Sequence, residues 1–395
     1  MKVILVTEYY YPHVGGVTEH VHHLARYLSL AGHQVRVLTS HVEGAERRPD
    51  VESVEDFEVV RMGHGMPIQS NGSQARVTVG WGLDARMRSE LRGADIVHLQ
   101  SPLFPMLPYL AIKTARRLDI PVVGTFHTNF AGSPLLDAFR PLLGNYVKGI
   151  DQCIAVSHSA IRSASPYVDA PFLMIPNGVD VKAWGAGQRR PELEGLRNIV
   201  FLGRLDPRND VDTLLQAYFE LIRRRPDVRL VIVGGGPERP QYEAMVPSHL
   251  KDRVVFAGLQ TDVAVRAGYL ASADLMAFTI RLAAHPITVL EGLAAGCPIV
   301  AYDIEGVREL VENGREGYRV PIGDLPALVE GFDQVLAHDE RRKQMSLNAR
   351  LRAEPFDWRH ITARILTVYE NLRSGVAGNQ VRDPLPTQVS HQVVE

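Results

Sequence analysis

The sequence predicts an α/β protein built from two doubly wound, parallel-sheet domains. Three observations carry that reading. The chain has 395 residues, enough for two or three domains at roughly 100–200 residues each. Short apolar runs alternate with helix-patterned segments, the order that builds βαβ units. That alternation stops in a polar stretch from Gly185 to Gly195, where turn formers replace any periodic apolar face, and then restarts.

In the first half, Val3-Ile4-Leu5-Val6 reads as a strand. The segment Val17 to Leu30 then puts Val17, Val21, Leu24, Ala25 and Leu28 on one helical stripe, and Gly32 ends it. Further strands are expected at Val35 to Thr39, Val59 to Met62, Ile96 to Leu99, Pro121 to Phe126 and Cys153 to Val156. The second half supplies Ile199 to Leu202, Leu230 to Val233, Val254 to Phe256 and Pro298 to Val300. Two Rossmann-like domains follow, at about 1–185 and 196–355. A helix near 360–374 is expected to return to the first domain, and a polar, aperiodic tail at 375–395 to be disordered.

Composition narrows the function. Apolar residues make up 45% and charged residues 22%, as in soluble globular proteins. With 43 Lys and Arg against 45 Asp and Glu, the net charge is -2, which argues against nucleic acid as the main partner. No run reaches the roughly 18 apolar residues of a spanning helix, and the N-terminus lacks signal-peptide architecture. The two cysteines, Cys153 and Cys297, exclude a disulfide framework or Cys-rich metal site and read as small buried residues. A cytoplasmic protein is expected.

Several loops after strands carry chemistry. Gly15-Gly16 precedes the first helix, where backbone amides and the helix dipole favour an anion, although plain tight-turn packing reads equally well. The spacing is not that of a dinucleotide fingerprint. Gly203-Arg204-Leu205-Asp206-Pro207-Arg208 follows a strand, which places Arg204 where open sheets bind anionic ligands. After Pro286 a helix start at Ile287, Thr288, Val289 and Leu290 offers amides for a pyrophosphate, with Glu291 one turn inside. Glu19, His20, His22 and His23 have helical spacing but not that of a metalloprotease motif, so they read as a polar helix face. Asp210-Val211-Asp212 reads as helix capping, not a metal-binding D-x-D, and His98 as a core or cleft histidine.

Taken together, GGVTEHVHHLARYL, GTFHTNF, AVSHSA, IPNGVDV, GRLDPR, VGGGPE and PITVLEGLAAGCPIVAYDIEGVREL resemble family 4 glycosyltransferases of the GT-B fold, in order up to about residue 372. Within the family the likeness is greatest to bacterial phosphatidylinositol mannosyltransferases, through the segment Asn71 to Arg76 together with Tyr9 and His127. The resemblance implies transfer of a hexose from a nucleotide diphosphate sugar, with retention of configuration, using no metal and no other cofactor. It assigns Arg204, His127 and Glu291 to catalysis and donor contact, on the diphosphate, sugar and ribose in turn. Donor contacts are expected from Gly15, Gly16, Arg208, Asn209, Gln260, Ala283, Ile287, Thr288, Val289 and Leu290, and acceptor contacts from Tyr9, Asn71, Ser73 and Arg76.

The implied partners are a GDP- or UDP-linked sugar and a lipid or polyol-phosphate acceptor. A lipid acceptor in turn implies peripheral contact with an anionic membrane on its inner face. The stripe Leu83, Met87 and Leu91, flanked by Arg86, Arg88 and Arg92, serves either that contact or the core, and Leu135, Leu136, Phe139, Leu142 and Leu143 form a second candidate. Two positions depart from the family pattern: Ala283 stands where a Glu meets the donor sugar, and Asn209 where a Lys partners the Arg. They leave open a catalytically weakened sugar-nucleotide-binding protein. Transfer to a diacylglycerol, a glycan or a small metabolite also stays open.

Overall fold

A computed structural model describes residues 1–375 except 14, 43–48, 71–72, 104–105, 128–136 and 138–139. Among these, two sheets organise the chain. In the first, strands β1 (Lys2–Val6), β2 (Gln34–Val42), β3 (Val51–Val54), β4 (Phe57–Ser70), β5 (Ser73–Val79), β6 (Ile96–Gln100), β7 (Val122–Phe126), β8 (Gln152–Ala155) and β9 (Phe172–Met174) take the order β3-β4-β2-β1-β6-β7-β8-β9, with β5 on β4. Every pairing from β4 through β2 and β1 to β9 is parallel. Strand β1 shows why: Val3 to Val6 are fully buried, which suits a central strand covered by helices on both faces.

The second sheet runs β12 (Val254–Gly258), β11 (Val228–Val233), β10 (Arg197–Leu202), β13 (Leu275–Phe278), β14 (Ile299–Tyr302), β15 (Gly317–Val320), all parallel. The chain order reverses between β1 and β6 in one sheet and between β10 and β13 in the other. Ligands of open α/β sheets bind at the carboxyl ends of strands beside such reversals. The two reversals set the loops after β1, β10 and β13 around one cleft.

The helix Trp358–Arg373 packs with the first sheet, where Trp358, Ile361, Ile365, Val368 and Tyr369 join the core that holds Leu24 and Leu28. Two chain crossings between the domains therefore lie side by side. The Val179 amide donates to Phe356 O at 2.8 Å and the Trp358 amide to Val179 O at 3.1 Å. Gly178 is required there, because a Cβ would meet the Trp358 ring at 2.5 Å. His98 sits in the core, its Nδ1 2.6 Å from the Tyr369 hydroxyl and its Nε2 2.7 Å from Thr125 Oγ1.

The structure settles one open alternative and lengthens one expected element. The stripe Leu83, Met87 and Leu91 is buried, so the helix Leu83–Leu91 spends its apolar face on the core and has none left for a bilayer. The hairpin β4–β5 extends well past the expected strand at Val59 to Met62. Cys153 and Cys297 are buried, as read from sequence. The tail beyond Gly375 and the side chains of Leu135, Leu136, Phe139, Leu142 and Leu143 lie outside the described residues. No described helix is long and apolar enough to cross a membrane.

Candidate active site between the two sheets

A cavity of about 280 Å³ opens between the domains. The first domain contributes Tyr11, Gly15, Gly16 and Glu19; the second contributes Arg204, Asp206, Arg208, Asn209, Gln260, Arg266, Ile287, Thr288 and Glu291, among others. The domains come close here: a Cβ on Gly16 would stand 4.0 Å from Ile287 Cδ1.

Two helix starts point into this cavity. Helices Gly16–Leu30 and Ile287–Ala295 each begin there, and neither has a side-chain cap from its N-cap residue, Gly15 or Pro286. Their first-turn amides and dipoles suit an anion. One expectation needs correction. The amides of Val289 and Leu290 donate to Pro286 O at 3.1 and 3.3 Å, and both side chains are fully buried. Only Ile287 and Thr288 of that run face the cavity.

The floor is backbone packed on backbone. The Leu205 amide donates to Gly235 O at 2.9 Å, and a Cβ at Gly234, where φ is +152°, would fall 1.8 Å from Gly203 O. From this floor Arg204 and Arg208 project, each about half exposed. The Asp206 carboxylate holds both, 3.6 Å from Arg204 Nε and 3.3 Å from Arg208 Nη2, and also accepts from the Arg208 amide. Asn209 is spent on structure: its Nδ2 donates to Arg204 O, and its carbonyl accepts from Thr279 Oγ1 at 2.8 Å.

Asp210 does not act as the cap that the sequence suggests. It is left-handed, with φ 51° and ψ 41°, which explains why glycine would suit this position. Its carboxylate accepts from Tyr302 at 2.6 Å, Arg281 at 2.8 Å and Thr213 at 2.9 Å. Burial opposes its ionisation, but those three donors outweigh burial and hold the carboxyl below its ordinary range.

Glu291 is buried in the cavity wall, with its Oε1 2.7 Å from Arg266 Nη2. Burial pushes its carboxyl up to about 7, against the lowering effect of Arg266. His127 directly follows β7, where its Nε2 donates to Gln100 Oε1 at 2.7 Å and its ring stands edge-on to His20 at 4.5 Å. Burial drives it well below the ordinary histidine range, so it is a neutral imidazole. It does not line the cavity, nor does Ala283, which packs against the second core.

Beside the cavity lies a second polar cluster. The backbone of Arg76 hydrogen-bonds the Tyr9 hydroxyl, and burial pushes Tyr9 up to about 12. Arg76 Nε and Nη1 are buried without a partner among the described residues. His13 is lowered to about 4, by burial first and then by Arg76 and Arg204, so both guanidiniums act on one ring. Asn71 lies outside the described residues, and of Ser73 only its backbone pairing with Ser70 is described.

Residues 14–183 match the family described as Glycosyltransferase Family 4, and residues 197–338 match that described as Glycosyl transferases group 1. The phosphatidyl-myo-inositol mannosyltransferase of Mycolicibacterium smegmatis is 34% identical over 382 residues, 94% of each chain. The chain belongs to glycosyltransferase family 4.

The glycogen synthase of Mycobacterium tuberculosis is 27% identical over 414 residues, 98% of each chain. Among solved structures, the sucrose-phosphate synthase of Thermosynechococcus elongatus aligns with a TM-score of 0.72 at 19% identity, covering 95% of this chain and 99% of that one. Anabaena HepE in complex with UDP-glucose gives 0.70 at 17%, covering 94% and 100%. At those identities the likeness concerns the fold, which is GT-B.

In this glycosyltransferase the cavity gathers Gly15, Gly16, Arg204, Arg208, Asn209, Gln260, Ile287, Thr288 and Glu291 from the expected donor set. Tyr9 and Arg76 stand apart from it with His13. Sequence reading missed Tyr11, Glu19, Asp206 and Arg266 as lining residues. Only Asp206 had a local signal, sitting between the two arginines it holds. The histidines expected on a polar helix face are instead packed inward: His20 Nδ1 is 3.0 Å from Asn177 Oδ1, and His23 stacks on Trp358. Among the described residues no group of His, Cys, Asp or Glu could hold a metal ion.

Proposed function

We propose that this glycosyltransferase moves a hexose, with retention of configuration, from a nucleotide diphosphate sugar to a phospho-polyol, with mannose from GDP-mannose to phosphatidylinositol as its leading form. One observation carries the reading: Arg204 lines the cavity between the domains, while Arg76, next to Tyr9, has Nε and Nη1 buried without a partner among the described residues. A diphosphate donor and a phosphate-bearing acceptor each require such a cation. The mannosyltransferase name of the 34% identical relative supports the same pairing.

Each residue then has a role. The amides of Ile287 and Thr288, with Arg204 and Arg208, take up negative charge as the diphosphate leaves, which is electrostatic catalysis without a metal or other cofactor. Glu291 accepts from the ribose, while Gln260 lies by the base and neutral His127 helps shape the sugar end. Arg76 grips the acceptor phosphate, with Tyr9, Asn71 and Ser73 around the polyol. The leaving phosphate takes the acceptor proton on the same face.

A lipid acceptor places the protein at an anionic membrane surface. Met66 and Val79 share one face of the β4–β5 hairpin, both exposed, and Trp81 beyond them is wholly exposed. We place the lipid contact on that face, where an indole suits the interface. A second reading, a sugar-nucleotide binder with weak turnover, draws on Asn209, whose amide is committed to Arg204 O.

The test incubates the protein with GDP-mannose or UDP-glucose and phosphatidylinositol vesicles, with and without EDTA, and assigns the product anomer by NMR. An α-linked glycolipid formed equally with EDTA is expected. Donor binding without any product on this or a soluble inositol phosphate would leave the weak-turnover reading in its place.

A further inference from the structure

Glu291 meets Arg266 through one oxygen only. Arg266 Nη2 lies 2.7 Å from Oε1, whereas Oε2 is buried without a partner. A guanidinium that served only to neutralise a buried carboxylate would use its planar fork on both oxygens. Here the guanidinium is held another way, with Cζ 4.9 Å from the centre of the buried Trp184 ring. The stacking holds the guanidinium against Trp184, and Oε2 is left unpaired on a side chain that lines the cavity. Both side chains are mostly buried, 13% exposed for Arg266 and 4% for Glu291. A buried acceptor without a donor costs free energy that a ligand hydroxyl recovers.

We propose that Arg266 is the positioning residue for ribose recognition: it holds Glu291 as a carboxylate with one oxygen aimed at the ribose diol of the donor. This rests on the donor-site reading above and adds a residue that acts on recognition through Glu291. Burial, with Glu19 of the facing domain adding to it, keeps the Glu291 proton on up to about pH 7 even though Arg266 opposes it. A protonated Glu291 would offer the diol a poorer acceptor. The other groups acting on Arg266 are Tyr11 and Glu19, and His23 senses it from the first domain.

The experiment measures binding of GDP and UDP, and of their 2′,3′-dideoxy forms, by calorimetry from about pH 6 to 9.5. The ratio of the paired affinities cancels titration of the phosphates and isolates the diol. The wild-type protein should prefer the ribose form about tenfold or more at pH 8, a difference of one charge-assisted hydrogen bond. That preference should fall as pH drops below about 7. In Arg266→Gln it should be absent near neutral pH and return toward the alkaline end, while Arg266→Lys keeps most of it. Glu291→Gln should abolish it at every pH. An unchanged pH profile in Arg266→Gln overturns the proposal. So does an equal loss of affinity for ribose and dideoxy forms, which would mark a structural role. A wild type that binds nucleotides without preferring ribose overturns this inference alone, whereas one that binds no nucleotide overturns the donor-site reading with it.

Discussion

Replacing Arg204 by Ala separates anion binding from folding. Arg204 is about half exposed, and its one ion pair among the described residues is a 3.6 Å contact with Asp206, which keeps Arg208 at 3.3 Å as a second partner. An exposed pair of that kind contributes roughly 0–1 kcal/mol, so the melting temperature should barely move. A diphosphate contact is different, because a charge-assisted hydrogen bond contributes about 1.5–3 kcal/mol. At 1.4 kcal/mol per decade, the variant should bind a nucleoside diphosphate roughly 10- to 140-fold more weakly. Isothermal calorimetry with a diphosphate and with the bare nucleoside checks the assignment, since only the diphosphate should lose affinity. Equal affinity for the diphosphate in both proteins refutes the placement of Arg204 on the leaving group. A parallel loss for the nucleoside would mean that the mutation had deformed the cavity.

Glu8 gives a pH signature. Burial raises its carboxyl to about 7 from an ordinary 4.5, despite hydrogen bonds from Thr78 and the Leu107 amide. The folded state then binds the proton more tightly, so this contribution is present at low pH and lost as pH rises through about 7. Relative to Glu8→Gln, the wild type should lose about 3 kcal/mol between pH 4.5 and 8, read by urea denaturation. Gly178→Ala should destabilise by about 1–3 kcal/mol, because its methyl enters the Trp358 ring 2.5 Å away. Ala283 itself packs on the second core, outside the cavity lining, so the longer side chain of Ala283→Glu is what would meet the donor sugar, and it should tighten nucleotide-sugar binding relative to the nucleoside diphosphate. It should also raise transfer by up to about 10²–10³, the scale of one preorganised contact, in a donor hydrolysis or transfer assay.

The parallel strands were legible because each is a continuous apolar run flanked by turn formers, as Val3 to Val6 and Ile199 to Leu202 are. The β4–β5 hairpin was not, since Gly63, Gly65 and Pro67 interrupt it as they would a loop. Strand β15, Gly317–Val320, is too short to stand out from its surroundings. The donor loops were legible because glycine and arginine directly after a strand have few other uses. Arg266 was not, because it lies within Val263–Ala271, an otherwise uncharged helix, and its partners Trp184 and Glu291 are remote in sequence. Asp210 failed for a related reason. Capping is a local inference, but its carboxylate answers to Arg281 and Tyr302, the latter 92 positions on.

The charges lining the cavity bear on how an anion is held. Three arginines, Arg204, Arg208 and Arg266, face three carboxylates, Glu19, Asp206 and Glu291, so the formal side-chain sum is three minus three, or zero. The whole chain, at -2, adds no attractive field for an anion. Long-range steering therefore contributes little, and affinity must come from short-range contacts that exist only once the ligand is seated. Those contacts are the two uncapped helix starts, one from each domain, together with the arginines that Asp206 holds at the mouth. Because even a Cβ on Gly16 would stand 4.0 Å from Ile287 Cδ1, a diphosphate can engage both helix starts only where the domains meet. A donor held there would bridge the domains, which are joined at the paired crossings by the hydrogen bonds between Val179 and the Phe356–Trp358 segment.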